Sequence, residues 1–382
     1  MKLILIFALP LLLFTFVYIG LTGVDKKDQQ LQRNVAEFLA MYNTTYPKLY
    51  AISSEADWKA STDVTDEHTG QQVGANGVLA AFQGNEYVIN KCKEFLKQKD
   101  KLDTLSRKQL ETILRTAALY PGTIPDVVAA RVEAESKQGA VLNSFEFHYE
   151  KPGEQANLVT PNQIDDILAK STDLSERKHA WEVSKQSGVA LKSGLVQLQT
   201  LRNRVATEMG YKSFFDLQVS DYEMSVDEMM KLMKEMNADL KPLYQQLHCW
   251  TKNQLAEKYH QPVPKKIPAH WLGNRWSQAW PGIVEGVDMD ELFKDKKPEW
   301  FIQQAEKFYT SLGMKPLPKT FWEKSDLYEL PADAKRKKNT HASAWHIDLQ
   351  NDVRSLMSVK PDYNWFETTH HELGHIYYYI AY

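Results

Sequence analysis

The chain has 382 residues, of which 43% are hydrophobic and 25% are charged, and its formal net charge is −3. This length allows a large core, in one large domain or in two to three ordinary ones. The small negative charge excludes a global field that would attract nucleic acid, and a mean hydropathy of −0.48 excludes a protein that crosses a membrane many times.

The N-terminus carries a hydrophobic segment. Lys2 precedes an uncharged apolar run from Leu3 to Gly23. The run is similar to a secretory signal, but it is long and ends without a clear small-x-small cleavage site. We therefore expect residues 1–23 to be a signal peptide or an uncleaved membrane anchor. The protein would be exported, either periplasmic or secreted, and would contact the inner membrane only through this segment if it is not cleaved.

Residues 24–382 are expected to form one mainly helical domain. Apolar residues in the stretch 31–42 recur every 3.6 positions, and Ser225 followed by Glu228 predicts a capping box at the start of a helix. We expect the methionine-rich stripe of that helix, residues 229–240, to lie in the core. Clusters of Gly, Pro, Ser, Asp and Asn predict loops at 61–77, 136–161 and 261–268.

The two cysteines and a short basic run are expected to have ordinary structural explanations. Cys92 and Cys249 are the two cysteines of the chain, and their helix-like contexts favour two free thiols over a disulfide. A basic run at residues 335–338 has no stacking aromatics in a repeated pattern near it. We expect this run to be a solvated loop and not a patch that binds nucleic acid.

The strongest chemical signal is the sequence His-Glu-Leu-Gly-His at residues 371–375. Residues four apart lie on the same face of a helix, so His371 and His375 can bind one ion. Glu372 lies about 100° further round the helix, where it can reach a water molecule on that ion. This pattern is typical of zinc peptidases, in which the glutamate is the general base.

Local signals favour a helix under this motif. Asn364 is a suitable N-cap, and Glu367 can complete a capping box, which predicts a helix that begins near Trp365. Leu373, Ile376 and Ile380 lie on a separate stripe of the same helix. This stripe is expected to be the buried face, so the two histidines would point elsewhere.

A catalytic zinc site of this type needs a third protein ligand. The upstream candidates are His270, His341, His346 and His370, and the other option is a glutamate on a following helix. That helix would lie beyond Tyr382, because seven residues follow His375. We therefore expect the chain to be C-terminally incomplete and, by itself, nearly inactive.

Several segments resemble the angiotensin-converting-enzyme family of peptidyl dipeptidases, and they occur in the family's order along most of the chain. These segments are Ser54–Trp58, Ile267–Trp280, Tyr309–Gly313, His341–Trp345 and His370–Ile376. The resemblance implies a large two-lobed helical ellipsoid with a deep central channel and the zinc helix at its base. It also implies removal of C-terminal dipeptides from oligopeptides.

The resemblance assigns roles to particular residues. His371 and His375 would be zinc ligands, and Glu372 would be the general base. Ala344 would pair its backbone with the substrate, and His341 would bind near the residue on the leaving side. Gln278 would help to hold the C-terminal carboxylate of the peptide, although without the resemblance it would be interpreted as a surface amide beside buried tryptophans.

The chain also departs from the better known animal members of this family. Thr340 stands where those members have a cysteine, and the run Tyr377–Tyr379 and the segment that follows Trp345 point by resemblance to a bacterial branch. Lys185 stands where animal members have an arginine that binds chloride, so chloride activation is in doubt.

Two functions from different classes remain open. The first is an exported zinc-dependent peptidyl dipeptidase of which this chain is an N-terminal portion. The second is a non-catalytic homologue that binds peptides but lacks the third zinc ligand. A zinc endopeptidase of another family fits the segments that contain His341 and Gln278 less well.

Overall fold

A computed structural model describes residues 5–150, 155, 157–278, 280, 283, 289–331 and 333–381, with side chains from residue 26 onward. The fold is mainly α, as expected. The helices in the described part are α1 (Leu5–Thr62), α2 (Asp66–Gln83), α3 (Glu86–Leu96), α4 (Thr104–Ala117), α5 (Pro125–Asn143), α6 (Pro161–Lys170), α7 (Leu174–Ser184), α8 (Gln186–Glu208), α9 (Phe214–Val219), α10 (Val226–Lys258), α11 (Pro298–Ser311), α12 (Lys319–Lys324) and α13 (Tyr363–Ala381). The two-lobed shape and the deep channel stay predictions.

Five short strands accompany these helices in the described ranges. They are β1 (Phe147–Tyr149), β2 (Asn157–Val159), β3 (Asp326–Tyr328), β4 (Ser343–His346) and β5 (Val353–Val359). β1 and β2 form an antiparallel pair, whereas the second sheet has the order β3-β5-β4. β5 is parallel to β3 and antiparallel to β4, with Ala344 opposite Ser355.

The hydrophobic segment at residues 1–23 lies outside the residues whose side chains are described, so its assignment as a signal or an anchor stays a prediction. Where side chains are described, none of the helices combines the length and the apolar composition that a membrane span requires.

Helix ends follow local capping, and two loop predictions are partly wrong. The helix α5 ends at Asn143, so the start of the predicted loop at 136–161 is helical. The hydroxyl oxygen of Thr65 accepts a hydrogen bond from the backbone N–H of His68 at 3.1 Å, so α2 begins inside the predicted loop at 61–77. The capping box at Ser225 and Glu228 is confirmed at the start of α10. The core prediction for α1 is also confirmed, because the five residues of the 3.6-residue period are buried, namely Leu31, Val35, Phe38, Leu39 and Tyr42.

The methionine stripe of α10 is not in the core. Met233 and Met236 are 49% and 48% exposed, and the apolar spacing continues to Leu240 and Leu243, which are 59% and 70% exposed. The prediction was wrong because an apolar period shows which face of a helix is hydrophobic and does not show whether another element covers it.

The basic run at 335–338 is a loop whose first three side chains are exposed, as predicted, but its last residue is not solvated. Lys338 is buried and donates hydrogen bonds to the Asp326 carboxylate and to the carbonyl oxygens of Tyr328 and Met357, at 2.6–2.7 Å. Arg336 also pairs with Asp326, at 2.7 Å. These contacts connect the loop that precedes β4 to β3, through Asp326 and Tyr328, and to β5, through Met357.

The same loop joins the sheet to the end of α1. The N–H of Asn339 donates to the Ser61 carbonyl at 2.8 Å, and the N–H of Val64 donates to the Lys337 carbonyl at 2.9 Å. Arg354 on β5 adds a second connection through Glu55, at 2.7 Å. The N-terminal helices are therefore fixed to the strand layer by polar contacts.

A core formed by α11, β5 and α13 lies beside this sheet. Its fully buried residues include Phe301 and Ile302 of α11, Met357 of β5, and Leu373 and Ile376 of α13. Each such side chain contributes about 1.5–3 kcal/mol relative to an exposed position. The core sets the position of α13 and leaves its opposite face open.

Replacing Leu240 and Leu243 together with lysine is expected to shift the free energy of unfolding by no more than about 0.5 kcal/mol per site, because both side chains are exposed. The double substitution should also lower the fluorescence of a dye that binds exposed apolar surface. Chemical denaturation and dye titration measure the two effects. The matched core variant, Phe301→Ala, should cost about 3–5 kcal/mol. If the lysine pair costs as much, the stripe is part of the core.

Candidate metal centre

The motif helix α13 begins at Tyr363, with Asp362 in front of it. The Asp362 carboxylate accepts the backbone N–H of Trp365 at 2.8 Å, and its carbonyl accepts the N–H of Phe366 at 3.2 Å. The predicted capping box at Asn364 and Glu367 is therefore misplaced. Asp362 acts as the cap because it lies just outside the first turn, whereas Asn364 already lies within the helix.

The buried stripe of α13 is confirmed. Leu373 and Ile376 are fully buried, and Ile380 packs partly buried against the same core. Because this face is held by α11 and β5, the face of His371 and His375 points away from the core. Both imidazole rings are exposed.

The two histidine rings lie side by side. Their Nε2 atoms are 3.1 Å apart, and the ring centroids are 4.8 Å apart. Two nitrogens bound at roughly 2.0–2.1 Å to one tetrahedral zinc ion would lie about 3.3 Å apart. The observed pair therefore fits two ligands of one zinc ion.

Glu372 lies beside this pair and is 7% exposed. Burial raises the pKa of its carboxyl above the ordinary value, while the charges of His371, His375 and His341 act in the opposite direction. A carboxylate whose pKa is moved toward neutrality suits general base chemistry.

His341 precedes β4, and Ala344 lies on this strand. The charge of His341 is the smallest of those that lower the pKa of Glu372 against the effect of burial. The Nδ1 atom of His341 lies 2.8 Å from the Ala342 carbonyl, so this nitrogen carries a proton and donates it. Ala344 packs beside the α13 core on β4, which is an edge strand of the described sheet. An edge strand has backbone N–H and C=O groups on one side that can pair with an extended peptide.

Gln278 lies on a segment that other helices hold in place. Its side chain is exposed, and its backbone N–H donates to the Asn274 side chain at 3.1 Å. Its segment, residues 269–278, is anchored to α6, α7 and the start of α8. Within the described part of the chain, the contacts of this segment do not bring Gln278 to the histidine pair.

Arg177, which the sequence did not single out, is the main anchor of the segment 269–278. It is 2% exposed and donates to the carbonyls of His270 and Leu272, at 2.9 and 3.1 Å. Lys185 donates to the Arg275 carbonyl at 2.7 Å, and burial lowers the pKa of this lysine. A signal for Arg177 could have been its position on the apolar side of α7.

Three of the upstream histidines make other contacts or lie on another segment of the described structure. His346 stacks on Tyr379, His370 directs Nδ1 to the Phe366 carbonyl at 2.7 Å, and His270 lies on the segment that Arg177 holds. Among the described residues, no group of three or more His, Cys, Asp and Glu side chains could hold a metal ion. The structure thus presents two candidate ligands and a neighbouring carboxylate.

A His-Glu-x-x-His helix in a mainly helical fold is the pattern typical of zinc peptidases. The family model described as angiotensin-converting enzyme matches residues 29–382. The chain therefore belongs to the angiotensin-converting enzyme family, as the sequence segments predicted.

Individual relatives give the same result. The chain is 31% identical over 368 residues to the angiotensin-converting enzyme of Theromyzon tessulatum, and 27% identical over 367 residues to that of Haematobia irritans exigua. These matches cover 92% and 91% of this chain and 58% of each relative. The enzyme of Mesocricetus auratus is 27% identical, with 90% of this chain and 27% of the relative covered. The chain thus spans less than two thirds of each relative, and these animal proteins do not support a bacterial branch.

The raised pKa of Glu372 predicts a pH-dependent stability in the metal-free chain. The folded protein holds this proton more tightly than the unfolded chain, so stability should fall as pH rises from the ordinary value of 4.5 through the raised folded value. Glu372→Gln should weaken this dependence and stabilise the chain toward neutral pH. Thermal unfolding over a pH series tests this expectation, with the exposed Glu367→Gln of the same helix as the control. Equal slopes in all three proteins would contradict it.

Proposed function

We propose that this chain carries the zinc-binding helix and part of the substrate site of a peptidyl dipeptidase, which removes C-terminal dipeptides from oligopeptides. The observation that carries the proposal is the pair of Nε2 atoms 3.1 Å apart with Glu372 buried beside them. Membership of the angiotensin-converting enzyme family supports the reaction class.

The residues of the motif would have different roles in the reaction. Neutral His371 and His375 would hold the ion through their Nε2 atoms. Bound zinc supplies a Lewis acid that polarises a peptide carbonyl and lowers the pKa of water. Glu372 would take a proton from the attacking water and pass it to the leaving amine, because its raised pKa lets the same carboxyl act in both directions.

Substrate would be held by two separate parts of the chain. Ala344 would pair its backbone with an extended peptide at the β4 edge, and His341 would contact the residue on the leaving side. Gln278 would contribute a neutral amide to the peptide's carboxylate. An amide binds a carboxylate less strongly than a charged group does, so Gln278 needs a cationic partner to be an effective anchor.

A second candidate function is peptide binding without catalysis. It is favoured by the observation that no three-ligand metal group is present among residues with described side chains. In this alternative the β4 edge and His341 would still contact peptides, but hydrolysis would not occur. Zinc binding separates the two functions, because only the first requires it.

Zinc titration of the 382-residue chain tests the first proposal. We expect one weak and exchangeable Zn²⁺ site, because two histidines alone form an incomplete coordination set. His371→Ala and His375→Ala should each abolish this site. Competition with a chromophoric chelator measures the affinity, and no zinc binding in the unaltered chain would contradict the proposal.

The matched control is His148→Ala, which removes an exposed histidine from β1 and should leave zinc binding unchanged. A fluorogenic oligopeptide assay completes the experiment. This chain should release dipeptide far below an ordinary turnover rate of about 10 s⁻¹. Release at the ordinary rate would show that two histidines suffice, whereas peptide binding without zinc binding would favour the second candidate.

We further propose that the protein is exported and that residues 1–23 direct this export. The support is the uncharged apolar run that follows Lys2. Fusion of residues 1–30 to a phosphatase that is active only outside the cytoplasm should give an active enzyme. Leu11→Arg together with Leu12→Arg should abolish this activity by interrupting the apolar run. An inactive fusion of the unaltered segment would contradict export.

A further inference from the structure

The helix α13 has a further close contact with α11, through a tyrosine hydroxyl. Tyr309, in the last turn of α11, donates its hydroxyl hydrogen to the carbonyl oxygen of His370 at 2.8 Å. His370 immediately precedes His371, and its carbonyl lies in the helical turn that leads to Gly374. A carbonyl oxygen has two lone pairs, so it can accept this bond in addition to the bond within the helix.

Gly374 makes this approach possible. A Cβ atom at position 374 would lie 2.8 Å from the Tyr309 hydroxyl and 3.7 Å from the ring carbon that carries it. The first distance is a clash, whereas the second is an ordinary van der Waals contact. The glycine between the motif glutamate and His375 therefore leaves room for a hydroxyl group.

The ring of Tyr309 is itself held in place. It stacks on Tyr377 of α13 with centroids 4.6 Å apart, and Phe308 packs edge-on against it at 5.0 Å. Burial raises the pKa of Tyr309, so the hydroxyl stays protonated and acts as a donor at neutral pH. A rigid ring with one polar end can hold the helix at a defined height and rotation.

We propose that Tyr309 is a positioning residue for the zinc helix, which holds the turn between His371 and His375 through its bond to the His370 carbonyl and the gap at Gly374. The proposal rests on the proposed zinc binding by these two histidines. Tyr309 does not touch the ion or the substrate, and it acts through the backbone of α13. Its hydroxyl fixes how far α13 is displaced along α11.

Tyr309→Phe tests the proposal because it removes the hydroxyl and keeps the ring stack with Tyr377. We expect the dissociation constant for Zn²⁺ to rise at least about threefold, a smaller effect than the loss of a group that bonds directly to a ligand. The absorption spectrum of Co²⁺ bound at the same site should also change. Tyr222→Phe, which removes an exposed hydroxyl far from α13 in the chain, is the matched control and should have neither effect.

A double-mutant cycle with Gly374→Ala tests the contact itself. The added methyl group should lower the unfolding midpoint of the unaltered chain, because it meets the hydroxyl. In the Tyr309→Phe background the same change should cost clearly less, since the nearest ring atom is 3.7 Å away. Equal costs in the two backgrounds would overturn the proposed contact.

The outcomes separate this proposal from the proposed function. Absence of zinc binding in the unaltered chain overturns the function. Unchanged zinc affinity in Tyr309→Phe overturns only the positioning role. The ring proton resonances of His371 and His375 in the metal-free chain, recorded at one pH, give a readout that does not need zinc. They should shift in Tyr309→Phe and not in Tyr222→Phe, and unshifted resonances would also overturn the role.

Discussion

The packing of α13 against α11 and β5 is the interaction on which the candidate site depends. A helix repeats every 3.6 residues, so burial of Leu373 and Ile376 leaves His371 and His375 on the open side. The same geometry places Glu372 at the border, where it is buried enough for the pKa of its carboxyl to rise. The positions of the proposed ligand pair and of the proposed base thus follow from one helix with one buried face.

Polar contacts extend this arrangement to the rest of the chain. Lys338 joins Asp326 to two backbone carbonyls, and Arg354 reaches Glu55 on α1. Charges this well buried are costly to desolvate, and here each one is paired with at least one carboxylate. Their effect is to connect the N-terminal helices to the strand that precedes the motif helix, in one defined register.

In contrast to α13, the helix α10 has an apolar face that is exposed. Its start has a complete capping box, and its apolar residues are regularly spaced, yet Leu240 and Leu243 are more than half exposed. Helix formation here rests on local signals, whereas burial requires a partner.

The sequence by itself determined the helical class, the family, the free state of Cys92 and Cys249, and the motif of His371, Glu372 and His375. Each of these depends on residue type and spacing along the chain. Tertiary structure decided the choice of Asp362 as helix cap, the burial of Lys338, the exposure of α10 and the anchoring of the segment 269–278 by Arg177. Tertiary structure also decided the contact of Tyr309 with α13. Tyr309 and His370 are 61 positions apart, and sequence spacing carries no information about contacts between such distant residues.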